Sequence, residues 1–176
     1  GRRVASGDDV FCRIARGEEA GYVAYSDGEV MVLVDPYPAV PGQAVVVPRE
    51  HFTFFYEMPE RLAARFYSVA AAAGRAMARL YGPKAVVMLA RGLRVPHYHL
   101  ILMPVREGDF VDRLFSVMDA FQGFPPVPEG EAERRALALA EFLRASRAPR
   151  PSSGELAREA GRLGRAIEEE LRRARQ

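Results

Sequence analysis

The sequence predicts an α+β domain: an antiparallel sheet carrying a long helix, followed by a helical extension at the C-terminal end. Three observations lead there. Short β-like runs flank one long helical segment in the order β-β-β-α-β-β. An Asp27-Gly28 pair between the first two runs is a hairpin signal. Beyond residue 120 the chain changes character, first to a proline-rich stretch and then to amphipathic segments.

The first two strands are "GYVAYS" (21–26) and "EVMVLVD" (29–35). "DPYPAVPG" (35–42) holds three prolines and reads as a connector. "QAVVVP" (43–48) is the third strand, and "PREHF" opens a short helix. Residues 59–81 form the long helix, with Pro59 in its first turn and Gly82-Pro83 ending it. Leu62, Phe66, Val69, Ala73, Met77 and Leu80 recur every three or four positions, which gives one buried face. "KAVVMLA" (84–90) and "HYHLILMP" (97–104) make an antiparallel pair joined by the loop "ARGLRVP" (90–96). "FQGFPPVPEGE" (121–131) is a linker, 131–147 an amphipathic helix and 148–154 a second break. Residues 155–176 form a last helical segment, with Leu156, Ala160, Leu163, Ile167 and Leu171 in one stripe. That stripe suits docking on the domain itself or on a partner chain. The chain therefore divides into a domain over 1–120 and an extension over 121–176.

Composition narrows the class. With 176 residues, 49% hydrophobic and 27% charged, the chain can bury a core of its own. A net charge of +2 gives no reason to expect nucleic acid as a partner. No apolar run is long enough for a bilayer, and "GRRVASGDDV" lacks the apolar centre of a signal peptide. The single cysteine, Cys12, excludes an intrachain disulfide. Together these lead us to expect a cytoplasmic protein without a membrane partner.

Two of the three histidines, His97 and His99, sit two apart in the fifth strand. Side chains at i and i+2 share a strand face, about 7 Å apart. His97, His99 and Ile101 thus project together, while Tyr98, Leu100 and Leu102 form a core face. Three readings are open. The histidines are partly buried residues of an edge strand. They chelate zinc with help from His51, Cys12 and carboxylates. Or they do chemistry: a neutral imidazole nitrogen attacks phosphorus near neutral pH, and a second histidine orients it or protonates the leaving group.

The run "HYHLILMP…GDF" resembles the histidine-triad (HIT) motif, His-φ-His-φ-His-φ-φ with a following proline and Gly-Asp-Phe. "DDVFCRIARGE" is similar to the family opening Cys-x-Phe-Cys-x-Ile-x-x-Gly-Glu. "VMVLVDPYPAVPGQAVVVPREH" is similar to its Asp-x-x-Pro-x-x-Pro-Gly-His core with the Pro-x-x-His that follows. The resemblance spans roughly residues 8–112. It implies a homodimeric hydrolase or nucleotidyl transferase acting at the α-phosphate of a purine nucleotide derivative. Such a substrate is a dinucleoside polyphosphate or a nucleoside phosphoramidate, cleaved through a covalent nucleotidyl-histidine with no cofactor needed for the chemistry. By resemblance His99 is the nucleophile, His97 helps the leaving group and Asp35 holds the ribose hydroxyls. Phe11, Ile14 and Leu33 then fall where the family lines its base pocket.

The sequence also departs from the family pattern. Ile101 takes the place of the third histidine. In the loop, "GLRVPH" puts Leu93 where the family carries glutamine and Arg94 where it carries a small hydroxyl. Arg94 can stand in as a phosphate clamp, since guanidinium matches phosphate geometry. Some members hold a structural zinc with two opening cysteines and two histidines. Here the equivalent set is Asp9, Cys12, His51 and His97, with Asp9 replacing a cysteine. Ile101, the altered loop and the helical extension support the alternative, a catalytically weak nucleotide-binding or regulatory protein on the same fold.

Overall fold

The computed structural model describes residues 7–146 and 149–176. Its sheet has five antiparallel strands: β1 (Val23–Ser26), β2 (Val30–Val34), β3 (Ala44–Pro48), β4 (Ala85–Leu89) and β5 (Leu100–Val105). They lie in the order β1-β2-β3-β5-β4. The β1–β2 turn is built on Asp27, whose Oδ1 accepts from the Glu29 and Val30 amides at 2.8 Å each. Its Oδ2 accepts from the Arg65 guanidinium at 2.7 Å, tying the hairpin to the long helix.

The sheet is covered on both faces. That is why β2, β3 and β5 are buried at every position and read as unbroken apolar runs. On one face Val30, Val32, Val46, Leu100 and Leu102 pack under α2 (Glu60–Tyr81). The predicted stripe of α2 is the buried one from Leu62 to Met77, and Gly82 ends the helix in the left-handed region at φ 54°. A short 3-10 turn, Phe55–Glu57, stands where a short helix was expected after Pro48. On the other face Met31, Leu33, Val45, Ile101 and Met103 are covered by α1 (Val10–Ala15) and α3 (Phe110–Gln122).

Two elements were not expected from the sequence. Helix α1 has only six residues, too few to display a period, and is capped by Asp9 accepting from the Cys12 amide at 2.9 Å. Helix α3 starts at an N-cap Asp109, which accepts from the Asp112 amide at 2.9 Å, and ends at Gly123 with φ 71°. Helix α4 (Glu131–Ala145) buries no residue and lies along α3, where Arg135 donates to the Ser116 carbonyl and hydroxyl at 3.0 Å.

Helix α5 (Ser153–Arg173) opens on a capping box between Ser152 and Glu155. Its stripe docks on its own chain. Leu156, Ala160, Leu163 and Ile167 are buried in the same cluster as α2, and the helix runs against β1. Gly164 marks the closest approach, because a Cβ there would overlap the Ala24 carbonyl.

The fifth strand begins three residues later than expected, at Leu100 rather than His97. Its pairing with β3 stops at Val46–Leu100. Beyond that point Pro48 has no amide to donate, and its carbonyl is taken by the His97 ring instead. Tyr98 donates its amide to Phe52 at 2.6 Å. The alternation survives this correction: Tyr98, Leu100 and Leu102 enter the α2 core, while Ile101 faces the opposite side.

Candidate active site

An open cavity of about 780 Å³ lies on the α1 and α3 face of the sheet. Paired strand positions make its floor: Leu33 opposite Val45, Val45 opposite Ile101, and Ile101 opposite Leu89. Phe11 and Ile14 of α1, Asp35 of the connector and His99 also line it. The cavity thus gathers Asp35, Phe11, Ile14, Leu33 and His99 around one space. Arg94 and His97 are not among its lining residues; from the 90–96 loop it is Arg91 and Val95 that line it.

His99 is held through Nδ1, which donates to the carbonyl of His97 at 2.8 Å. A carbonyl only accepts, so the proton resides on Nδ1 and the lone pair on Nε2. The Phe11 ring packs against that imidazole at 5.2 Å between centroids.

Asp35 is fixed at both carboxylate oxygens. Oδ1 accepts from the Tyr37 amide at 2.8 Å, and Oδ2 from Gln43 Nε2 at 2.7 Å. Gln43 is buried, and its own oxygen accepts from the Ala39 amide at 2.9 Å. Sequence reasoning did not single out Gln43. The available signal was its place immediately after Pro41-Gly42, where the family pattern carries a histidine.

His97 sits elsewhere. It is 0% exposed, and its Nε2 donates to the Pro48 carbonyl at 2.8 Å. Burial is the largest influence on its pKa and lowers it, against the Pro48 carbonyl and Asp9, which favour the charged ring. Its Nδ1 lies 3.1 Å from Asp9 Oδ1 and 3.4 Å from Cys12 Sγ. His51 Nδ1 closes the group, 3.0 Å from Asp9 Oδ2 and 3.5 Å from Cys12 Sγ. Burial pushes the Asp9 pKa up, but the Cys12 amide and thiol and the His97 ring outweigh it and bring it down to about 2. Burial and the Asp9 charge push the Cys12 thiol up to about 11.

The four donor atoms lie within 4.8 Å of one another. Two imidazole nitrogens, a thiol and a carboxylate this close together share either a proton or a cation. Two nitrogens, one sulfur and one oxygen also form a set that a tetrahedral divalent ion accepts. The group Asp9, Cys12, His51 and His97 is therefore a candidate metal centre, built from α1, the segment after β3 and the approach to β5. Among the described residues no helix is long and apolar enough to cross a membrane.

The model of the HIT domain matches residues 16–108. An uncharacterised HIT-like protein of Methanocaldococcus jannaschii is 32% identical over 104 residues, covering 57% of this chain and 81% of that protein. An uncharacterised HIT-like protein of Saccharolobus solfataricus is 41% identical over 51 residues, and the match spans 29% of this chain and 37% of that relative. A zinc-bound histidine triad family protein from Mycobacterium smegmatis shares the fold, with a TM-score of 0.63 and 18% identity, covering 97% of this chain and 99% of that one. The matched domain takes in β1 to β5 with both His97 and His99, and the chain belongs to the HIT family.

Proposed function

We propose that the chain is a nucleotide hydrolase or nucleotidyl transferase that cleaves a purine nucleotide derivative at its α-phosphate through His99. The observation that carries this reading is the 2.8 Å bond from His99 Nδ1 to the His97 carbonyl, in a cavity that Asp35 also lines. It leaves Nε2 as the nucleophile. Nε2 attacks the α-phosphorus, the bond to the leaving group breaks as the P–N bond forms, and the leaving group takes a proton from solvent. Water then cleaves the phosphoramidate and restores the ring. Asp35 accepts from the ribose hydroxyls, and Phe11, Ile14 and Leu33 hold the base. Buried His97 acts by positioning His99 through its carbonyl.

The charge around His99 favours one substrate type. Among the described residues, Arg91 is the one basic side chain lining the cavity apart from His99, while Glu19 and Asp35 are acidic and Ile101, Leu89 and Val95 apolar. A bridging polyphosphate would bring several negative charges into a space with little to receive them. A single-phosphate substrate such as a nucleoside 5′-phosphoramidate fits better than a dinucleoside polyphosphate.

Asp9, Cys12, His51 and His97 would hold a structural zinc. When bound, that ion would offset the Asp9 charge and tie three chain segments together without entering the reaction. Pairing into a homodimer is supported by β4, an edge strand whose Met88 is 62% exposed. A cytoplasmic setting suits the free, buried Cys12. A second reading, a weak catalyst that binds nucleotide and regulates a partner, is favoured by Ile101. It is 7% exposed in the cavity floor and replaces a donor whose loss costs on the order of 10²–10³-fold in rate.

The test is AMP release from adenosine 5′-phosphoramidate and from diadenosine tetraphosphate, by the native protein and by His99→Ala. The reading expects phosphoramidate turnover that is lost in the variant. AMP binding without turnover of either compound supports the second reading instead.

A further inference from the structure

A second cavity, about 860 Å³, opens on the other side of Asp35. One wall is the connector from Val34 to Gln43, and the other is Pro149–Pro151 with the first turns of α5. Val34, Asp35, Tyr37, Ala39 and Gln43 line both cavities, so the carboxylate read above as the ribose ligand stands in the partition. The far wall lies outside residues 16–108 and belongs to this chain's own extension.

That wall carries Arg150, Arg158 and Arg162. Among the described residues none of the three has a carboxylate within 4.0 Å, unlike Arg65, Arg79 or Arg134. The Arg150 guanidinium lies over the Tyr37 ring at 4.4 Å, and Arg162 donates to the Leu80 carbonyl at 3.2 Å. The two acidic side chains on the same wall are engaged elsewhere. Glu155 accepts from the Ser152 amide at 2.6 Å in the capping box, and Glu159 accepts from the Tyr81 hydroxyl. Asp35 already accepts from Tyr37 and Gln43, which spreads its charge over two donors. Guanidinium groups without carboxylate partners in a concave site are a match for phosphate oxygens.

We propose that this second cavity receives a phosphate carried on the 2′- or 3′-hydroxyl of the nucleotide whose ribose Asp35 holds. The substrate class is then a nucleoside 5′-phosphate derivative with a second phosphate on the ribose. One ribose hydroxyl remains for Asp35, and the other carries its phosphate past Tyr37 to Arg150 and Arg158. This rests on the reading of Asp35 as the ribose ligand.

The test is calorimetric titration of the full chain with AMP, adenosine 3′,5′-bisphosphate and adenosine 2′,5′-bisphosphate. The proposal expects one bisphosphate to bind about tenfold or more tightly than AMP. In a variant carrying both Arg150→Ala and Arg158→Ala that preference disappears while AMP affinity stays the same, which also shows that the variant is folded. Equal or weaker binding of both bisphosphates overturns the proposal, as does a preference that survives in the variant. If none of the three nucleotides binds, the ribose reading of Asp35 fails and this proposal falls with it.

Discussion

The imidazole of His99 is hydrogen-bonded through Nδ1 to the backbone carbonyl of His97 at 2.8 Å. One residue of the pair is thus prepared for chemistry by the main chain of the other, and the two side chains face different surroundings. Removing the His99 ring should lower turnover by about 10³-fold or more while leaving nucleotide affinity within a few-fold. Steady-state kinetics beside calorimetry on His99→Ala checks both halves.

Gln43 bonds Asp35 at 2.7 Å and is itself buried. Gln43→Leu keeps the volume and deletes the donor, so Asp35 is free to turn away from the ribose. The expected result is KM raised about tenfold with kcat nearly unchanged, in line with one charge-assisted hydrogen bond. A fall in kcat at constant KM would contradict the positioning role.

The Asp9, Cys12, His51 and His97 group predicts one equivalent of a divalent ion in protein purified without chelator, measured by elemental analysis. Stripping the ion should lower Tm, since a ligand at a thousandfold excess over its Kd stabilises by about 4 kcal/mol. Asp9→Ala should lose the ion, and Asp9→Cys should hold zinc more tightly than the native chain. An unchanged Tm after verified metal removal would refute a structural role.

Gly164 stands where α5 crosses β1, with no room for a Cβ against the Ala24 carbonyl. Gly164→Ala should destabilise the protein by about 2 kcal/mol or more, read by urea unfolding. Gly161, three residues earlier on the exposed side, is a control, and Gly161→Ala should stabilise by roughly 0.5–1 kcal/mol.

Asp27 gives the pH dependence. Burial raises its pKa, but the Glu29 and Val30 amides, Arg65 and Tyr25 outweigh this and leave it below its ordinary 3.8. A carboxyl depressed in the folded state stabilises fully above its unfolded pKa, and that contribution is lost as pH falls through the folded value. Asp27→Asn should therefore flatten the acid limb of a Tm-against-pH curve below about pH 4, with the difference between the two proteins shrinking as acid is added.

Much of this was legible in the residues, for identifiable reasons. The α2 stripe from Leu62 to Met77 repeats over several turns, so its period could be read. The alternation from Tyr98 to Leu102 fixed which side of β5 meets the core. Helix α1 was too short to show a period, and α3 was overlooked although Asp109 and Gly123 mark its ends. The burial of His97 could not be read from a spacing, because it depends on the free carbonyl of Pro48 and on Asp9, 88 positions away. Gln43 was overlooked for a related reason: it acts through Asp35, eight residues back, and only the folded connector brings them together.

The central claim is that His99 Nε2 becomes covalently bonded to the α-phosphorus. The direct measurement is to quench the protein during turnover of adenosine 5′-phosphoramidate at neutral to mildly alkaline pH and map the modified peptide by mass spectrometry. The account predicts an adenylyl group on the peptide containing His99, and none in His99→Ala. Rapid AMP release with no adduct on that peptide, or an adduct on His97 or His51, would contradict it.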